Sequence, residues 1–235
     1  NIIPETAALV FDKNESLTVN DLEIGNDFDL IAITQNETSN ATQVTNDTIA
    51  AIGNKYPDKM LAIDTTSSMA GIFLDFSLAD IWYASVQKCF GLPAGLGILI
   101  VSPKAIERAK AKGEKGRYNS LNFMLENAAN YQTHYTPNVL NIYLLNRVLA
   151  DLPNIAKVNA KTEERMRILE EIVEQSPALD FLVSNEATRS RTVLGVGGEE
   201  KFIKQIKAEA VARFKKAYNA LSAKDKKIYD SVYKN

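Results

Sequence analysis

One cysteine, Cys89, stands among 235 residues. No disulfide can therefore form within the chain, and the composition suits a reducing compartment. There is also only one histidine, His134, and one tryptophan, Trp82. A basic excess is missing: 27 Lys and Arg against 29 Asp and Glu leave a formal net charge of −2. That argues against a general nucleic-acid binder, because phosphates would go unneutralised. No apolar run approaches the roughly 20 residues needed to cross a bilayer, so no membrane partner is expected. The opening NIIPETAALVFDKNES has neither the basic nor the apolar region of a signal peptide. A cytoplasmic protein is expected. Internal repeats and low-complexity segments are absent from the sequence as well.

What is present is ordinary globular composition, 46% hydrophobic and 24% charged. The length can bury a core in one large domain, or in a large one and a small one. The stretch from Leu61 to Ser102 organises the rest. It contains LAID, DIWYA and LGILIV, apolar runs with the length and β-branched or aromatic content of buried strands. Asp64 closes the first run, and Ser85, Gln87 and Lys88 follow the second. In α/β sheets ligands bind at such carboxyl ends of strands.

Residues 1–28 are weakly patterned, with a strand expected at Ala7–Phe11. DFDLIAIT predicts a strand ending near Thr34, and VTNDTIAAIGNKYP an amphipathic helix stopped by Gly53 and Pro57. KMLAID is the next strand. The strand–helix–strand order implies a parallel, right-handed crossover, which puts the loop after Thr34 on the same sheet edge as Asp64. The few residues from Cys89 to Gly95 are too short for a second crossover, so LGILIV is expected to return antiparallel. Beyond it, PKAIERAKAKGEK predicts a helix with Pro103 in its first turn. YNSLNFMLENAANYQTHYTPN is expected to be rich in loop, with Pro137 as a breaker. VLNIYLLNRVLADL and KTEERMRILEEIVEQ predict helices. TRSRTVLGVGG suggests a strand of a smaller C-terminal unit. EEKFIKQIKAEAVARFKKAYNAL predicts a long charged helix, followed by a helical or frayed AKDKKIYDSVYKN.

Lys88 is the sharpest candidate for chemistry. It ends SVQK at a strand end and precedes Gly91, Pro93, Gly95 and Gly97, where backbone can approach a ligand closely. A lysine drawn partly out of water becomes a nucleophilic amine able to form a Schiff base; the plain alternative is an exposed loop lysine. Asp64, a carboxylate at a strand end, needs a partner. A protonated pyridine nitrogen would serve, and a helix cap for TTSSMAG is the plain alternative. Other residues read as structural: His134 as a packed or surface residue, Cys89 as packing, and Trp82 and Tyr83 as core. Arg189 and Arg191 read as salt-bridged surface residues, although either could bind a carboxylate. The glycines of GVGG are too few for a phosphate loop, and no metal site is expected.

Asp64, then SVQK, then GLPAGLGILIVS resemble the pyridoxal-phosphate enzymes of aminotransferase class V. Within them, QNETSNATQV, DTTSSMAG and YTPNVLNIYLL are similar to the phosphoserine aminotransferase family, over residues 28–195. The glutamine before the lysine favours aminotransferases over the related cysteine desulfurases. The resemblance implies that Lys88 binds pyridoxal 5'-phosphate covalently and shuttles a proton, and that Asp64 pairs with the pyridine nitrogen. It implies that Thr38 contacts the ring hydroxyl and Gln87 the phosphate. Thr136, with Pro137, would reach the phosphate of a neighbouring subunit, so a homodimer with shared sites is implied. Tyr135 departs from the asparagine often found before that threonine.

The implied fold is α/β: a mostly parallel mixed sheet flanked by helices, the aspartate-aminotransferase-like large domain of fold type I. That sheet is of a seven-stranded kind, here incomplete. Residues 1–150 would form the cofactor-binding domain. Residues 151–235 would give connecting helices and part of a small C-terminal α+β domain. The implied activity is transamination between O-phospho-L-serine and 2-oxoglutarate in serine biosynthesis. Alternatives are another class V aminotransferase acting on a small amino acid, of the alanine–glyoxylate type, or a non-catalytic dimer-forming remnant. The chain begins with Asn rather than Met, and against the family it reads as incomplete at the N-terminus and at the C-terminal small domain.

Overall fold

A computed structural model describes residues 6–15, 17 and 19–227. Residues 6–12 have no regular structure, so the strand expected at Ala7–Phe11 does not form. A strand requires a neighbour to take its backbone hydrogen bonds, and none is paired with this segment among the described residues. Strand β1 spans Leu30–Thr34, followed by a short hairpin of β2 (Asn36–Glu37) and β3 (Thr42–Gln43).

Helix α1 covers Asn46–Lys55. The Thr45 hydroxyl caps it by accepting from the Thr48 backbone N–H. Gly53 does not stop the helix as the sequence suggested; it ends at Lys55, before Pro57. A helical glycine costs about 1 kcal/mol relative to alanine. Here burial of Ile49 and Ile52 outweighs that cost.

Strands β4 (Met60–Asp64), β5 (Ile81–Ser85) and β6 (Gly97–Val101) complete a sheet ordered β1-β4-β5-β6. The first two pairings are parallel and β5–β6 is antiparallel, the mixed sheet expected from the connection lengths. Only β4 is almost wholly buried. LGILIV, expected to be a buried strand, forms β6, an edge strand among the described residues, with Leu99 exposed on one face of the sheet.

Alternate residues of a strand point to opposite faces. Ile33, Ile63, Trp82 and Ile100 lie in register and pack with α1 in one core. Ile63 is 0% and Trp82 1% exposed. The opposite row, Thr34, Asp64, Tyr83 and Leu99, lies on a face that leaves Tyr83 and Leu99 open. Tyr83 is therefore not the core residue that its strand position suggested.

Helices α2 (Pro103–Lys112), α3 (Leu121–Ala129), α4 (Val139–Asp151) and α5 (Ile155–Glu174) follow. Helix α3 lies inside the stretch expected to be mainly loop. Ser120 caps it, and buried Asn122 donates to the carbonyls of Ala109 and Glu114, fastening it to the end of α2. Strands β7 (Leu179–Phe181) and β8 (Val196–Gly198) form a separate antiparallel pair. Helix α6 spans Glu200–Ala220 and buries no residue. Residues 223–227 are helical; the last eight of the expected terminal helix lie outside the described residues. Among the described residues no helix is long and apolar enough to cross a membrane.

Candidate active site

The carboxyl ends of β1, β4 and β5 lie side by side, in the register Thr34↔Asp64↔Tyr83. After β1 the backbone N–H of Gln35 still donates to the Asp64 carbonyl at 2.9 Å. The β2–β3 hairpin then carries Thr38, exposed, at its tip. Glu37 accepts from the Ser39 backbone N–H at 2.8 Å across that tip. This bond, and then the Ser39 hydroxyl, hold the Glu37 carboxyl below the usual carboxylate range against the opposing effect of burial. Ala41, with φ 62°, completes the turn in the left-handed region.

Asp64 is half-buried at the end of β4. Its Oδ1 accepts from the Thr66 backbone N–H at 2.8 Å, so the carboxylate does cap its own turn. Thr65 sends both its N–H (2.9 Å) and its hydroxyl (3.0 Å) to the Tyr83 carbonyl. Those bonds fasten the Thr65–Gly71 turn to β5. Tyr83 stands beside Asp64, and its phenol is pushed up in pKa, first by burial and then by the Asp64 charge.

After β5, Val86 is fully buried, with its N–H on the Leu96 carbonyl and its carbonyl accepting from Leu92. Gln87 and Lys88 protrude from this anchored turn and are exposed. The expectation of a lysine drawn partly out of water is thus not met within this chain, because no described segment covers the sheet face beside it. The left-handed turns at Gly91 (φ 69°) and Gly95 (φ 112°) bring the chain back into β6. Cys89 is packing, as expected: its Sγ donates to the Ser67 carbonyl at 3.3 Å. Its thiol is pushed up by burial and pulled down by the Lys88 charge.

Thr136 is exposed on the loop between α3 and α4, apart from the other candidates in the hydrogen-bonding of the chain. Tyr135 stacks on Tyr118, with ring centroids 4.5 Å apart, and His134 and Phe123 close the aromatic cluster. That makes His134 a packed residue. Asn141 of α4 donates to the Pro93 and Ala94 carbonyls at 3.4 and 3.2 Å. These bonds draw the start of α4 to the loop that follows Lys88.

Sequence reasoning missed four residues: Asn36, Ser67, Ser190 and Thr192, which cross-link these segments. Their side chains lack the distinctive chemistry that marks a lysine or a carboxylate, and the partners lie far apart in the chain. It also misplaced Arg189. The residue is salt-bridged, but buried: it bonds Glu170 at 2.7 Å, donates to the Val183 carbonyl and lies 3.8 Å over the Phe181 ring. Arg191 is half-buried, 3.9 Å from Glu170 and 3.8 Å from Glu186. A cavity of about 630 Å³ runs along β1 between residues 7–13 and 22–25, and reaches Thr34 and the Glu37 and Thr42 side of the hairpin.

Residues 6–220 match the family described as aminotransferase class-V. A phosphoserine aminotransferase of Rhodococcus opacus (strain B4) is 31% identical over 196 residues, 80% of this chain and 50% of that protein. A crystal structure of a phosphoserine aminotransferase from Cytophaga hutchinsonii superposes with a TM-score of 0.74 at 32% identity. The superposition covers 79% of this chain and 53% of that one. An alanine–glyoxylate aminotransferase from Nostoc sp. shares the fold at a TM-score of 0.66 and 21% identity, over 73% of this chain and 47% of that one. The architecture is thus the fold type I of pyridoxal-phosphate aminotransferases. The chain spans about half the length of the curated relatives it matches.

Proposed function

The chain belongs to the aminotransferase class V family, and on that premise we propose that it serves transamination between O-phospho-L-serine and 2-oxoglutarate, with pyridoxal 5'-phosphate as cofactor. One observation carries the proposal: the turns bearing Thr38, Asp64 and Lys88 emerge together at the carboxyl edge of one sheet. Relatives named phosphoserine aminotransferase favour that substrate pair.

The donor set fits the cofactor. Lys88 offers an exposed amine for covalent attachment, and Asp64 a half-buried carboxylate for the ring nitrogen. Thr38 would meet the ring hydroxyl and Gln87 the phosphate. The bound ring would serve as the electron sink for the amino acid's Cα. Asp64 would hold the ring nitrogen protonated through charge–charge attraction. The Lys88 amine, when not bonded to the ring, would serve as the base that moves the proton from Cα.

We assign residues 1–150 to the cofactor-binding unit and 151–235 to the connecting helices and part of a smaller domain. Assembly as a homodimer completes the proposal. Helix α4 exposes Val139, Leu140, Ile142 and Tyr143, an apolar surface suited to a second copy. It adjoins the loop from which Thr136 would reach the neighbour's phosphate.

Adding pyridoxal 5'-phosphate to the purified chain tests the proposal. A visible absorbance band that disappears in Lys88→Ala supports it, and turnover of phosphoserine over alanine identifies the substrate. A wild-type chain without a Lys88-dependent band refutes it.

A further inference from the structure

Past Thr34, Asp64 and Ser85 the sheet ladder gives way to single backbone bonds from Gln35 and Thr65, so regular pairing no longer fixes the spacing of the turns beyond them. A polar cluster built on buried Asn36, Ser67 and Ser190, with Thr192 half-buried at its edge, takes over at that point. Asn36 is 3% exposed. Its Nδ2 donates to Ser67 Oγ at 2.7 Å and to Thr192 Oγ1 at 3.0 Å, and its Oδ1 accepts from Ser190 Oγ at 2.5 Å. Ser67 Oγ donates in turn to the Asn36 carbonyl at 2.9 Å. The Ser67 carbonyl accepts from Thr192 Oγ1 at 2.9 Å and from Cys89 Sγ at 3.3 Å. Ser190 Oγ also accepts from the N–H groups of Thr192 and Val193.

These bonds reach every turn that carries a candidate cofactor contact within one chain. Asn36 lies two residues before Thr38, Ser67 three after Asp64, and Cys89 next to Lys88. The fourth member, the segment Ser190–Thr192, comes from the far end of the chain. We infer that Asn36 and Thr192 are positioning residues, the two halves of a clasp that sets the spacing of the Thr38, Asp64 and Lys88 turns. The inference rests on the cofactor reading given above. Buried polar groups bonded on every side hold one geometry, because any shift leaves a desolvated donor or acceptor unpaired. Apolar packing would tolerate sliding that a covalently held ring, bound on three sides, would not.

Thr192→Val removes the hydroxyl at nearly constant shape, whereas Thr192→Ser keeps it. In the chain without cofactor, amide hydrogen exchange should rise about tenfold or more at 36–40, 64–68 and 86–90 in Thr192→Val. Thr192→Ser should match wild type. Faster exchange confined to 188–194, or equal effects of the two variants, overturns the clasp. Titration with pyridoxal 5'-phosphate forms the second arm. Thr192→Val should bind about tenfold more weakly and shift the pH midpoint of the visible band, since Asp64 and Lys88 lose their spacing. Unchanged affinity and midpoint in that variant overturn the positioning role even if exchange rises. A wild-type chain with no Lys88-dependent band refutes the cofactor reading instead, while the exchange pattern still decides the clasp. Should Thr192→Val fail to fold, Ser67→Ala, which removes the other acceptor of Asn36 Nδ2, takes its place in both arms.

Discussion

Asp64 and Tyr83 stand directly opposite one another on parallel strands β4 and β5, on the sheet face that leaves Tyr83 and Leu99 exposed. The arrangement couples their charges. A carboxylate beside a phenol opposes its ionisation, and burial acts in the same direction.

In Asp64→Asn the ionisation midpoint of Tyr83 should therefore fall, yet remain above the ordinary tyrosine value because burial persists. Alkaline difference spectra, with Tyr83→Phe identifying the signal, measure this. The raised folded-state value contributes stability that is fully present below the unfolded midpoint, about pH 10. It is lost as pH rises through the folded midpoint. A Tyr83 midpoint unmoved by Asp64→Asn would contradict the coupling.

The same aspartate has a catalytic reading. Asp64→Ala should still take up pyridoxal 5'-phosphate but turn over on the order of 100-fold more slowly, because the ring nitrogen loses its counter-charge. Near-normal turnover by that variant would remove Asp64 from the ring. Lys88→Ala should lose both the visible band and nearly all transamination.

Gly71 tests the anchoring of the Lys88 turn. A Cβ built there would lie 2.7 Å from Cys89 Sγ and 3.2 Å from Cys89 Cβ. Gly71→Ala should cost about 1–3 kcal/mol, the usual range for overpacking. Cys89→Ala in the same chain should recover part of the loss by removing the sulfur. Urea denaturation of the single and double variants gives the comparison, and additive losses would count against the contact.

Ile63 is fully buried between the sheet and α1. Ile63→Ala should lower stability by about 2–5 kcal/mol, through lost burial and the cavity left behind. Chemical denaturation should show a lower midpoint with an unchanged slope.

Assembly can be read from mass in solution. Light scattering should report a dimer, and Val139→Glu with Tyr143→Glu should give a monomer by charging the apolar face of α4. If Thr136 of a second copy grips the phosphate, the monomer should lose cofactor faster on dialysis. Equal retention by monomer and dimer would refute the shared site.

Much of the fold is legible because its signals are local. The parallel pair β1–β4 follows from two apolar runs with a helix between them, and antiparallel β6 from a connection too short for a crossover. Misreadings arose where tertiary contacts overrode local preference. Gly53 stays helical because Ile49 and Ile52 are buried, and α3 forms where Asn122 fastens it to α2. Ala7–Phe11 has strand composition but no pairing partner among the described residues.

By itself the sequence determined the strand ends and the residues placed there: Asp64, Gln87 and Lys88 are tied to their strands by a few covalent links. Only the tertiary structure decided what surrounds them. It left Lys88 and Tyr83 on an open face, buried Arg189 against Phe181 and Glu170, and joined Asn36 to Thr192 across 156 residues. Contacts over such separations arise when the chain closes on itself, and they impose no periodicity or spacing on the residues that make them.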